Sequence, residues 1–356
     1  MRWIVNIAAL LLTFSSFGSP QDRLQLVSST PLPKPVRTRW NRLRMGCLAD
    51  GGTLLALSDP TAKPPHEFVV LTPDAALKAK IDVDKVAGIG RADIKDFAAG
   101  PDGEIYVLAK RIDREELERK KDGRIFEKMY GEDPVLWLVR FTETGEVRAK
   151  ASIQGDFLFA RLAVFPSGSF LVVGYLQQPG PIDELVPFGA IFSQDASSMR
   201  QVDLPKTVLV LNPEIDHHYE TPIPFLAEEG TIYVVMEGEH PALAVVGSDG
   251  VVARTVQLHI PSGYRISVVQ PAGARLIVHL DESKPFTGEV GHDLYAELDI
   301  GSGDVLFSFS LPDRAIIPGC QRQSGGITAI DSPGTLDTFM APTEGVSVVR
   351  GPNEAP

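Results

Sequence analysis

Asp96-Phe97-Ala98-Ala99-Gly100-Pro101-Asp102-Gly103-Glu104-Ile105-Tyr106-Val107-Leu108 opens the stretch that decides the fold. It reads as a strand, a tight turn and a second strand. A third strand comes next, at Leu136-Trp137-Leu138-Val139-Arg140-Phe141. Thr142-Glu143-Thr144-Gly145 then turns the chain into a fourth, Glu146-Val147-Arg148-Ala149-Lys150. β-Branched and aromatic runs suit a pleated, half-buried surface, and Gly or Asp-Gly supplies the turn conformations that other residues resist.

The same theme recurs along the chain. Leu48 to Gly52 leads into Thr53-Leu54-Leu55-Ala56-Leu57, and Leu162 to Gly168 into Ser169-Phe170-Leu171-Val172-Val173. Pro224 to Gly230 leads into Thr231-Ile232-Tyr233-Val234-Val235, and Ser267 to Gly273 into Ala274-Arg275-Leu276-Ile277-Val278. A weaker copy runs from Arg322 to Ile330. A second turn alternates with the first, at Thr72-Pro73-Asp74, Thr144-Gly145, Gln194-Asp195, Ser248-Asp249-Gly250, Ser302-Gly303-Asp304 and Thr343-Glu344-Gly345. A four-stranded repeat of this length predicts an all-β chain, a six-bladed β-propeller of four-stranded antiparallel blades. Two stacked sandwich domains would have no reason to alternate the two turns so regularly.

Loops distinguish the blades. Blade two carries an insertion from Arg111 to Pro134, whose core Asp113-Arg114-Glu115-Glu116-Leu117-Glu118-Arg119-Lys120-Lys121 puts acids before bases and predicts a charged, solvated helix. Blade three has a Pro-rich loop over 177–187, and 205–222 is long for a linker. A closed ring leaves no exposed edge strand, and propellers commonly mix the two chain ends in one blade. Arg23 to Ser29 and Gly345 to Arg350 compete as the closing strand, and both are expected to pack on blade six, in an order the sequence leaves open.

The first residues have the order of a secretory signal. Arg2 precedes the apolar run Ile4 to Phe17, and small residues come after it at Gly18 and Ser19. The run is short for a membrane span, which needs about 20 apolar residues. The expected organisation is a signal peptide over 1–19 and one propeller domain over 20–356, exported to the periplasm or beyond the cell, monomeric, with no membrane span in the mature chain. The formal net charge of -12 argues against nucleic acid as a partner, since that binding needs a basic face to displace counterions.

With Gly100 to Gly103, Ile105-Tyr106-Val107 and the Phe141 to Gly145 strand-turn in view, the chain resembles six-bladed propellers of the NHL-repeat or TolB-like kind. The resemblance spans nearly the whole mature chain and implies a fold with a central funnel. Such propellers include protein-binding scaffolds, sugar-lactone hydrolases and lyases, so it does not select a function.

Three sets of residues are candidates for chemistry. Bases cluster where the chain enters each inner strand: Arg42 and Arg44, Arg91 and Lys95, Arg161, His217 and His218, Arg265, then Arg314 and Arg322. Arg44, Arg91, Arg161, His218, Arg265 and Arg322 are the expected ligand-binding set. A ring of guanidinium groups at the funnel mouth would hold a carboxylate, a phosphate or an acidic peptide bidentately. The competing reading pairs each Arg with a nearby acid such as Asp93, Asp96 or Asp156, as a brace between blades. Cys47 and Cys320 fall at the same point of the first and last blades, which a closed ring makes neighbours. A disulfide there would close a loop of about 270 residues and remove about 4 kcal/mol of unfolded-chain entropy. Two buried thiols are the alternative.

The histidines come last. Asp216-His217-His218-Tyr219-Glu220 offers metal-binding atoms, but adjacent strand residues point to opposite faces, so the pair cannot chelate one ion. Help would have to come from His240, His259, His279 or His292, whose spacing matches no ligand motif. No nucleophile elbow, phosphate loop or His-Glu-x-x-His is present. Metal-holding lactonase propellers use Asn in the funnel, and this chain has only Asn6, Asn41, Asn212 and Asn353. The expected function is therefore an exported binding module for a protein segment or anionic ligand, with no catalytic residue and no cofactor assigned. The alternative is a metal-dependent, lactonase-like hydrolase or lyase with its site in the funnel.

Overall fold

A computed structural model describes residues 25–31, 43–48, 50–58, 66–88, 92–100, 103–111, 135–154, 157–177, 184–204, 209–210, 223–226, 230–236, 241–272, 275–282, 294–309, 317–318, 327–331 and 335–340. The first strand, β1 (Gln25–Pro31), does not join the sheet of its neighbours in the chain. Blade one is β2 (Leu43–Cys47), β3 (Thr53–Ser58), β4 (His66–Leu71) and β5 (Leu77–Asp82), and the short helix α1 (Val83–Ala87) comes after it. Blade two is β6 (Ala92–Ala99), β7 (Glu104–Arg111), β8 (Val135–Thr142) and β9 (Val147–Gln154). Blade three is β10 (Phe157–Val164), β11 (Phe170–Gln177), β12 (Glu184–Phe192) and β13 (Met199–Gln201), with β14 (Leu209–Val210) added on β12. Blade four is β15 (Ile223–Leu226), β16 (Ile232–Met236), β17 (Ala242–Val246) and β18 (Val252–Gln257). Blade five is β19 (Tyr264–Ala272), β20 (Arg275–Glu282), β21 (Leu294–Asp299) and β22 (Val305–Phe309). Each is an antiparallel meander, and together they make a β-propeller.

The expectation of six equivalent units is corrected. Five blades are built from consecutive strands. The remaining sheet is a composite of both chain ends, in the order β1, β25 (Thr335–Met340), β24 (Ile327–Asp331) and β23 (Ile317–Pro318). The N-terminal strand, pairing from Gln25↔Met340 to Pro31↔Thr335, is its outer strand. Residues 345–350, the competing closing strand, lie outside the described residues. Blade three also exceeds the expected four strands.

The charged helix expected in blade two is not part of the described fold, since 112–134 lie outside it. Among the described residues the one helix is α1, between blades one and two. Its ends explain it: Asp82 caps the start by accepting the Lys85 N–H at 3.1 Å, and Gly88 ends it in the left-handed region. No described helix is long and apolar enough to cross a membrane.

Period-two alternation distributes the core between blades. In β7, Ile105 and Val107 pack towards blade one with Leu54, Phe68 and Val70, whereas Tyr106 and Leu108 pack towards blade three with Leu162, Phe170 and Val172. Leu171 and Val173 meet Ile232 and Val234 at the next interface, and Tyr233 and Val235 meet Leu276 and Val278 at the one after. Both faces of each central strand are buried, so these strands read as unbroken apolar runs. The inner strands touch in chain order, β2 to β6, β6 to β10, β10 to β15 and β15 to β19, and β2 also touches β23 of the composite sheet.

Candidate functional site

Strand pairing shows which inner-strand residues are equivalent. Arg44 pairs with Ala56, Asp96 with Leu108, Arg161 with Val173 and Ile223 with Val235. Each stands seven residues before the left-handed glycine of its own first turn, Gly51, Gly103, Gly168 or Gly230. In β6 and β10 this position comes directly after a β-bulge, and β19 has a bulge at the matching place, between Ile266 and Val268. Bulges bend a strand and re-aim the next side chain.

At this level blades two and three are joined by charge. Asp96 accepts the Leu162 backbone N–H through Oδ2 at 2.7 Å. Its Oδ1 lies 3.6 Å from Arg161 Nη1, an ion pair longer than a hydrogen bond. The Arg161 side chain is 32% exposed and that of Asp96 15%. Of the six expected ligand-binding residues, Arg161 is therefore the one whose side chain is described, and it meets the acid that the bracing alternative assigned it. β6 and β7 also carry Lys95, the extra residue of the bulge, and buried Lys110, both engaged in contacts of their own.

Arg44 and Arg265 are placed through their backbones, opposite Ala56 in β2 and opposite Asp281 in β19. Arg91, His218 and Arg322 lie outside the described residues. Cys47 ends β2, whereas Cys320 lies outside the described residues, as does the expected bridge. β23 stops at Pro318, two residues before Cys320, and touches β2.

The described histidines do not converge. His259 Nδ1 meets Asp304 at 2.7 Å between blades four and five, and His279 stacks on Tyr295 with ring centres 4.6 Å apart. His66 Nδ1 lies 3.2 Å from Asp84, tying α1 to β4. Among the described residues no three His, Cys, Asp or Glu side chains are placed to hold one metal ion. His217, His240, His292 and Asn212 lie outside the described residues.

Sequence reading named Asp96 only as a neutralising partner. The signal that places it is the constant seven-residue distance to the turn glycine, which puts an acid in blade two where blades one and three carry Arg. The far ends of the blades are charged as well. Tyr106 donates to the Gly168 carbonyl at 3.1 Å across the same interface, and burial raises its phenol pKa. Arg140 Nη1 donates to the Gln194 carbonyl at 3.3 Å, and Lys78 bridges Asp50 to Glu143 of blade two.

No family model matches the chain, and neither does any curated protein sequence. The NHL-repeat or TolB-like type is thus not shown, and the finding stops at a β-propeller. Solved structures do resemble it. A protein of unknown function from Dyadobacter fermentans has a TM-score of 0.50 at 9% identity, over 89% of this chain and 98% of that one. A protein of unknown function from Bacteroides caccae gives 0.45 at 12% identity, over 76% and 82% of the two chains. The Dos1 propeller gives 0.44 at 10% identity, over 82% and 77%. At such identities a likeness speaks for the fold alone, here a β-propeller running through the described chain.

Proposed function

We propose that this chain is an exported β-propeller that binds an anionic ligand, a small carboxylate or an acidic protein segment, at its inner strands. The observation that carries the reading is Arg161: an inner-strand guanidinium, one-third exposed, whose ion pair to Asp96 at 3.6 Å is longer than a hydrogen bond. Arg44 and Arg265, on the inner strands of blades one and five, are proposed to contribute from their own sides. Export rests on Arg2, the apolar run Ile4 to Phe17 and the small residues after it. In the same reading the composite sheet closes the ring between blades five and one, consistent with β23 against β2.

The test is a titration of the purified protein with fluorescent poly-glutamate at low salt. Binding should weaken as salt rises. Arg161→Ala should lower affinity about ten-fold, the loss of one charge-assisted contact. Unchanged affinity in both Arg161→Ala and Arg265→Ala would sink the reading. For export, the chain expressed with its first residues intact should be recovered outside the cytoplasm and shortened near Ser19.

A further inference from the structure

The acid beside Arg161 bears on which anion the site accepts. Asp96 is fastened to the neighbouring blade by the Leu162 N–H at 2.7 Å. That bond holds the carboxylate beside Arg161. Its other oxygen lies 3.6 Å from Arg161 Nη1, and the Arg161 side chain is 32% exposed, so an incoming anion can reach the guanidinium.

We propose that Asp96 is the specificity-determining residue of this site, selecting monoanionic carboxylates over dianions such as sulfate; this rests on the anion-binding reading above. An anion at Arg161 feels the attraction of the guanidinium less the repulsion of the Asp96 carboxylate. That net attraction grows in proportion to ligand charge. The cost of stripping water from the ligand grows with the square of its charge. A full, unopposed Arg repays that cost for a dianion. An Arg opposed by a carboxylate attracts less, which favours the ligand with the smaller desolvation cost, the monoanion. The backbone hydrogen bond matters because Asp96 carries no such selectivity unless its charge stays in place.

The experiment compares acetate and sulfate, titrated at constant ionic strength against the purified protein and its Asp96→Asn variant, with arginine side-chain NMR shifts as the readout. The Asn oxygen still accepts the Leu162 N–H, so the thermal midpoint should change little. Wild type should prefer acetate. Asp96→Asn should move the sulfate-to-acetate affinity ratio at least ten-fold towards sulfate. If both proteins bind both anions with the same ratio, Asp96 does not select charge and the inference is overturned while the anion site survives. If wild type binds neither anion at Arg161, the anion-binding reading itself fails. Should Asp96→Asn not fold, the wild-type ratio decides alone, since tighter binding of sulfate than of acetate refutes the selection.

Discussion

Single residues at the turns contribute to how this protein responds to acid. Asp195 accepts from the Ser193 hydroxyl at 2.7 Å, from the Ser197 N–H at 3.1 Å and from the Ser197 hydroxyl at 2.8 Å. These bonds, the Ser193 hydroxyl first, lower its pKa to about 2 from the usual 3.8. Asp74, by the Thr72 hydroxyl first, and Asp299, by the Ser302 N–H first, are lowered at the second turns of other blades, whereas Asp304 is lowered first by its bond to His259 and then by Ser302. The unfolded chain takes up these protons first as pH falls. The turn bonds therefore contribute stability above about pH 4 and lose it as pH drops towards 2. Denaturation midpoints should fall through that window, and Asp195→Asn should flatten the fall, with NMR titration of the Asp195 carboxyl as the direct check. An ordinary Asp195 titration would remove the explanation. The turns themselves were legible, because Ser, Thr and Asp around Gly announce them. The Asp96–Arg161 pair was legible only as one of two alternatives. Which holds depends on the lateral packing of β6 against β10, and no local pattern encodes that.

Between elements, blades interlock by laying the second turn of one blade on the last strand of the blade before. Gly303 shows how tight this is. Its φ is 78°, and a Cβ there would overlap the Gln257 carbonyl oxygen of blade four. Gly263 has a similar φ of 85° with nothing within 4 Å of a Cβ. Gly263→Ala should cost about 1 kcal/mol, the left-handed conformation alone. Gly303→Ala should cost more than about 2 kcal/mol, because backbone must move as well. Urea unfolding of the two variants measures the difference, and equal costs would mean that the blade contact yields freely. Strand periodicity made the central strands legible, since runs such as Ile232-Tyr233-Val234-Val235 are buried on both faces. The short helix α1 was not. Its five residues are set by the Asp82 cap and Gly88, too short a stretch for a helical period to show.

For the molecule as a whole, the pairing of β1 with β25 joins residues at opposite ends of the chain. Removing 25–31 strips the composite sheet of its outer strand and exposes the edge of β25. The deletion should lower stability by about 2 kcal/mol or more and promote association between copies, read by urea unfolding and by size-exclusion chromatography. An unchanged unfolding curve would show that β1 contributes nothing to the stability of the composite sheet. The all-β class, the repeating unit and its turns could be read from the residues alone, because strand alternation and turn chemistry are local and return with each blade. The count of equivalent units failed at the last one, where the outer strand comes from the other end of the chain. The sharing of the last sheet by the two chain ends was expected, but the folded chain was needed to show that five blades are consecutive meanders, that the N-terminal strand is the outer one of the remaining sheet, and that Asp96 faces Arg161. Those outcomes depend on contacts between residues far apart in sequence, which a repeat read from Asp96 to Lys150 does not contain.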